Sequence, residues 1–278
     1  MPTEDTQPAP DRATSRAMRA WGEYAEKSEI VVHVTHESFM QVQRLPEILQ
    51  LLHTALPETT EKHEHGLSHA QRVAEYARDE VESGFTFVHA HALLGLWGAL
   101  ECLVEDLFIG ALEEDPAILS TPAFDKIKLP IGIINVPDTR EIYAAVLTEA
   151  SRTSAADLGK GVSRFDRLLT MVGLGGATPR QIKDAIFEAQ QIRNVWAHRA
   201  GIADERFLAA CPGLGFAVGD RVALSAPHFL HLMHGLHMFG AVLIGRMNAR
   251  AGQTPVRLPE CAGYEGVFSG EDATDEVE

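Results

Sequence analysis

Apolar positions recur at helical spacing along most of the chain. In the first third, Leu45, Ile48, Leu51 and Leu52 fall three or four apart, as do Val73, Tyr76, Ala77 and Val81, which predicts helices from about Ser15 to Gly84 with a break near Pro57. Ser83-Gly84 stops one helix and precedes another. Phe85 to Leu112 carries little polar surface before Glu101 and reads as a long central helix. Prolines 116, 122, 130 and 137 make Glu113 to Asp138 an irregular connection with room for one short helix. Further helices are predicted from about Thr139 to Thr153 and Ser163 to Val172, the latter closed by Gly173, Gly175 and Gly176. Thr178-Pro179 then opens a helix that runs to Arg199 and ends at Gly201. The alternation in Phe216 to Leu224 around Gly219-Asp220 predicts a small β-hairpin. A last helix is expected from Ser225 or Pro227 to about Ala249. The pattern is all-α: an up-and-down helical bundle with one small hairpin before the last helix.

Charge sets the domain limits. Residues 1–14, rich in Pro, Thr and Asp, read as a disordered tail. Residues 258–278 carry seven carboxylates and no Lys or Arg, the mark of a second disordered, acidic tail. Between them, 15–84 reads as an N-terminal helical extension and 85–250 as the main bundle. The whole chain of 278 residues has 24 basic and 39 acidic side chains, a formal net charge of −15. No broad phosphate-binding face is advertised, so any nucleic-acid contact has to come from a local cluster. Cys102, Cys211 and Cys261 form no CxxC pair and suit a reduced compartment. The polar, acidic N-terminus has no signal-peptide character, which points to the cytoplasm. Val222 to Gly245 lacks Asp, Glu, Lys and Arg, but Pro227 and four histidines make it a buried closing helix rather than a membrane span.

Candidate chemistry concentrates on the helix Pro179–Arg199. At about 100° per residue, Ile182, Ala185, Ala189, Ile192 and Trp196 form one apolar stripe. Asn194 and His198 stack on another face, with Gln190 one turn earlier. Arg193 lies at the stripe's edge, where its stem can rest on apolar surface while the guanidinium swings toward Asn194 and His198. Such a trio suits phosphodiester chemistry. Arginine matches phosphate oxygens and stabilises a charged transition state, histidine transfers protons near neutral pH, and asparagine holds phosphate or orients the imidazole. Set against this, an Arg and a His near a helix C-terminus also simply complement the helix dipole.

The segment Ile192-Arg193-Asn194-Val195-Trp196-Ala197-His198-Arg199-Ala200-Gly201-Ile202-Ala203-Asp204 resembles the HEPN signature: an Arg, a polar residue directly after it, and a His four to six positions beyond the Arg, here Arg-x4-His. Arg164-Phe165-Asp166-Arg167-Leu168-Leu169, the His-x-x-Gly-x-x-Asp tail of the motif and the expected hairpin resemble the RiboL-PSP branch of that superfamily. So does the segment Ala92–Phe108, with Trp97 and Glu101, as a first core helix. The resemblance spans roughly Phe85 to Ala249. It implies a helical bundle that pairs as a homodimer and brings two copies of Arg193, Asn194 and His198 into one cleft at the interface. It further implies RNA cleavage without metal or cofactor, to a 2′,3′-cyclic phosphate and a 5′-hydroxyl, in proteins that often act as toxins or defence effectors checked by an antitoxin protein. Glu101 matches an acidic position used by some members, and equally suits an ordinary surface carboxylate. Some members keep the fold without nuclease activity, so a non-catalytic module that binds RNA, a nucleotide or a protein partner is the alternative.

Other clusters read more plainly. His228, His231, His234 and His237 recur every third residue, drift around the helix and have no Cys or carboxylate among them, so they are expected to flank a core face of Phe229, Leu230, Leu232 and Met233 rather than hold a metal. His65 and His69, beside His63 and Glu64, read as an exposed helix start rather than a zinc pair. His89 and His91 read as hydrogen-bonded core histidines. Leu158-Gly159-Lys160-Gly161-Val162-Ser163 and the glycines at 173–176 fit neither GxxxxGK[ST] nor GxGxxG. Trp21, Trp97 and Trp196 are placed for packing.

Overall fold

A computed structural model describes residues 12–55, 60–155, 160–253 and Tyr264. Nine α-helices order these described residues: α1 (Ala13–Val42), α2 (Leu45–Ala55), α3 (Thr60–Glu82), α4 (Thr86–Glu114), α5 (Thr139–Ala155), α6 (Val162–Met171), α7 (Arg180–Arg199), α8 (Glu205–Ala210) and α9 (Ala226–Arg250). Three short 3-10 turns, Pro116–Ser120, Pro122–Phe124 and Ile131–Asn135, occupy the proline-rich connection; proline pre-sets their φ and removes donors that a longer helix would need. None of these helices is long and apolar enough to cross a membrane.

The expected β-hairpin is absent, and among the described residues there is no strand. Its turn does form. Gly219 takes φ +93°, a region L-residues avoid, while Asp220 N–H donates to Ala217 O (3.1 Å) and the Asp220 carboxylate accepts from Ala217 N–H (2.8 Å). The flanks, however, find another partner. Residues 201–203, just past α7, take their backbone groups: Val222 N–H donates to Gly201 O (2.8 Å), Ala203 N–H to Asp220 O (2.8 Å) and Gly219 N–H to Ala203 O (3.0 Å). Only an isolated antiparallel bridge, Ile202 with Arg221, results. Backbone polar groups leaving a helix need partners, and this loop supplies them.

The chain divides into two compact units: Met1–Tyr24 with Gly98–Phe187 and Gly235–Glu278, and Ala25–Trp97 with Glu188–His234. Both therefore draw on chain from either side of residue 84, and α1, α4, α7 and α9 each contribute to both.

In the first unit, Leu100, Leu107, Phe108 and Leu112 of α4 are fully buried, as are Leu169, Leu174 and Phe239. Arg246, itself buried, reaches the Asp166 carboxylate (2.7 Å), the carbonyl of Gly176 (2.6 Å) and the hydroxyl of Thr178 (2.8 Å). One guanidinium thus ties α9 to α6 and to the approach to α7. The residues expected as tail take part too: Thr14 lies in α1 and donates from N–H and hydroxyl to Glu114 (2.9 and 2.8 Å). Tyr264, inside the segment expected as a disordered acidic tail, is completely buried.

In the second unit, α2 packs beside α3 but has no buried residue, and Leu51 is 71% exposed. The burial expected from its apolar spacing is not realised in the chain alone. Ala70, Ala74, Ala77 and Glu80 are buried among the described side chains of α3, whereas Tyr76 stays exposed. On α9 the expected core face holds for Phe229, Leu232 and Met233 and fails for Leu230, which is 43% exposed.

Candidate functional site

Helix α7 begins where Pro179 leaves its carbonyl to Lys183 N–H (3.1 Å). All five residues of the expected stripe, Ile182, Ala185, Ala189, Ile192 and Trp196, are buried, which fixes the helix's rotation and turns the Asn194/His198 face outward. Trp196 anchors the C-terminal turn: its indole N–H donates to Val222 O (3.2 Å) and the Arg221 guanidinium lies 5.8 Å from its ring centroid. The helix then stops in two left-handed residues, Ala200 (φ +51°) and Gly201 (φ +81°). Gly201 N–H bonds back to Val195 O (3.2 Å) and Ile202 N–H to Arg199 O (3.1 Å), a glycine-dependent end. Past it, Asp204 caps α8 by accepting from Phe207 N–H (2.9 Å) and pairs with Arg199 Nε (3.5 Å).

This turn-back places α8 beside the end of α7 and opens a groove of about 410 Å³ lined by Gln191, Asn194, Val195, His198, Arg199, Asp204, Arg206 and Phe207. Val195 and Phe207 are buried and form its apolar floor. The His198 imidazole is exposed, and Asn194 is half-buried. Half-buried Arg193 donates from Nη1 to Asn194 Oδ1 (3.2 Å) and is not itself a lining residue. Of the expected trio, Asn194 and His198 therefore share the groove, while Arg193 reaches it through Asn194.

Glu101 is not among the residues that line this groove. It belongs to the first unit and pairs with Arg164 (3.3 Å). Gln191, rather than the expected Gln190, supplies the second carboxamide. Arg199 and Arg206 were not singled out by sequence. Arg199 directly follows the signature histidine, which was the available signal. Arg206 and Phe207 sit on a six-residue helix too short to show a period.

The remaining histidines and thiols are placed as follows. His228 Nε2 contacts the Glu188 carboxylate, and His237 meets Trp21 edge-on at 6.2 Å. His89 is buried, stacked on Phe229 at 4.9 Å, and donates from Nδ1 to Leu224 O (2.8 Å). Burial, opposed by that carbonyl and reinforced by nearby His36, holds its pKa below the usual histidine value. His91 corrects the expectation of a core residue: it is exposed, and among the described residues its hydrogen bond is to Phe87 O, one turn back (2.9 Å). Cys211 is buried beside Glu188, and burial first, then that carboxylate, pushes its thiol up to about 11, far from a reactive thiolate. Among the described residues no group of three His, Cys, Asp or Glu side chains is placed to hold a metal ion. Comparison with protein-family models, curated protein sequences and solved structures yields no match to this chain.

Proposed function

We propose that the protein is an endoribonuclease of the HEPN class that cleaves RNA by attack of the 2′-hydroxyl on the adjacent phosphorus. The observation that carries this reading is the solvent-open imidazole of His198 in a groove it shares with Asn194. In the reaction the 2′-oxygen–phosphorus bond forms and the phosphorus–5′-oxygen bond breaks. An imidazole takes the 2′-proton, and an imidazolium returns one to the leaving 5′-oxygen. The products are a 2′,3′-cyclic phosphate and a 5′-hydroxyl. Arg193, joined to Asn194, supplies positive charge toward the phosphate, and Asn194 orients it. These groups perform the chemistry with no cofactor or metal ion. On this reading two copies pair with their grooves together, so that one His198 serves as base and the other as acid. The protein then acts in the cytoplasm as a toxin or defence effector, with an antitoxin protein as its controlling partner.

The placement of Arg193 favours a second reading. Its Nη1 is engaged by Asn194 and it does not line the groove, which suits a non-catalytic HEPN module holding RNA, a nucleotide or a protein partner. Incubation of the protein with varied RNAs in excess EDTA separates the two. The nuclease reading expects chelator-resistant cleavage, slowed about 10²–10⁴-fold by His198→Ala and about 10²–10³-fold by Arg193→Ala, with unfolding curves unchanged. A folded wild-type protein that cuts none of them leaves the binding module. Growth arrest on expression, relieved by His198→Ala, is expected of a toxin.

A further inference from the structure

The groove holds more cation than one scissile phosphate needs. Arg206 projects from α8 into the same groove as His198, is exposed, and among the described residues its guanidinium has no hydrogen-bond or ion-pair partner. Arg199 pairs with the Asp204 carboxylate loosely, with Nε at 3.5 Å. The one carboxylate lining the groove is already engaged twice, by Phe207 N–H and by Arg199, so it opposes an incoming anion less than a free carboxylate would. Glu205, next to it on α8, is exposed and is not a lining residue.

An unpaired Arg206 guanidinium on a strongly acidic protein needs a reason. With a net charge of −15, the chain repels polyanions at long range. An RNA must therefore be held by a few short-range contacts, and guanidinium presents its donors in the fork that phosphate oxygens match. Duplex RNA is read across two successive minor grooves and the phosphates between them, a footprint wider than one groove with two arginines. A single strand, which can bend its backbone into the groove, fits this distribution of charge.

We propose that Arg206, with Arg199, forms a second phosphate subsite that grips a phosphate next to the one His198 acts on. The groove then takes single-stranded polynucleotide in preference to mononucleotide. This deepens the ribonuclease reading and rests on it for the role of His198. Arg206 is a positioning residue here, acting on substrate register rather than on the reacting atoms.

The test uses the full chain and a fluorescein-labelled, fully 2′-O-methylated RNA oligonucleotide, which lacks the attacking hydroxyl. Binding is read by anisotropy across a salt series. Arg206→Gln is expected to weaken binding about tenfold at low salt and to flatten the log–log salt dependence by about 0.7, the contribution of one single-strand phosphate contact. Arg206→Lys, which keeps the charge, restores most of the affinity. A nucleoside 3′-monophosphate binds weakly and equally to wild type and Arg206→Gln. Unchanged oligonucleotide affinity and salt slope in a folded Arg206→Gln protein overturns the subsite, as does wild-type protein that does not bind the oligonucleotide. Equal weakening of monophosphate and oligonucleotide overturns the second-phosphate assignment. Because this probe cannot be cleaved, a wild type that binds it but cuts no RNA fails the nuclease reading alone. Cleavage that persists while Arg206→Gln binds normally fails the subsite alone.

Discussion

Replacing Gly201 by alanine probes the turn that shapes the groove. Gly201 sits at φ +81°, and a Cβ there lies 3.0 Å from Cε2 and Cζ2 of Trp196 and 3.1 Å from Cδ2. Two costs follow. The left-handed backbone costs an L-residue about 1–2 kcal/mol. The contact also falls on a rigid indole, not on the tip of a flexible chain, so Trp196 has to shift. That ring is only 8% exposed and bonded to Val222 O at 3.2 Å, and straining its hydrogen bond adds about 1 kcal/mol. The total is about 2–3 kcal/mol, a fall in Tm of roughly 4–12 °C for a domain of this size. Thermal unfolding followed by far-UV circular dichroism reads it, and near-UV spectra report the displaced indole. Gly213 provides the control, since a Cβ there meets nothing within 4 Å and its φ is not positive; Gly213→Ala is expected to leave stability unchanged or slightly raised. A Tm for Gly201→Ala equal to wild type would refute the steric argument, and with it the claim that this turn sets the position of α8.

Two further outcomes are expected. Arg246→Met removes the donors held by Asp166, Gly176 O and Thr178 and strands a carboxylate, so urea denaturation should show a loss of about 3–5 kcal/mol; a loss below about 1 kcal/mol contradicts the role given to this network. His89 and His36 both have pKa values held below the usual one, burial being the larger cause in each. The unfolded chain therefore binds more protons below about pH 6.5, and stability fully present above that value is lost as pH falls below it through the lower folded-state values. A Tm that stays flat from pH 8 to pH 5, once carboxylate effects are matched in a His36→Phe variant, contradicts this assignment.

The long helices were legible because their apolar residues repeat over several turns and their ends carry Pro, Gly or charge. Helix α7 shows it best: Ile182, Ala185, Ala189, Ile192 and Trp196 are buried as their spacing predicts, and Gly201 ends the helix with the positive φ expected of it. Short and non-local features were not legible. Helix α8 is shorter than two turns. The loop 216–224 has a strand-like alternation, yet which backbone it pairs with depends on residues 201–203 and not on its own pattern. Tyr264 lies among carboxylates in sequence, while Gly235, where a Cβ would fall 2.7 Å from the Tyr264 hydroxyl, marks how closely it packs. The same division holds in the groove. Asn194 and His198 share a helix face and could be read together, whereas Arg206 and Phe207 arrive only after the chain reverses. Glu101, chosen by resemblance, pairs with Arg164 instead.

The chemistry assigned to His198 is tested most directly by the ends of the cleaved strand. An RNA oligonucleotide is incubated with wild-type protein in EDTA, beside its 2′-O-methylated counterpart, and the products are weighed by mass spectrometry. The expected products are a 2′,3′-cyclic phosphate and a 5′-hydroxyl from the RNA, and none from the methylated strand. Cleavage of both strands, or a 5′-phosphate on the product, would contradict attack by the neighbouring hydroxyl.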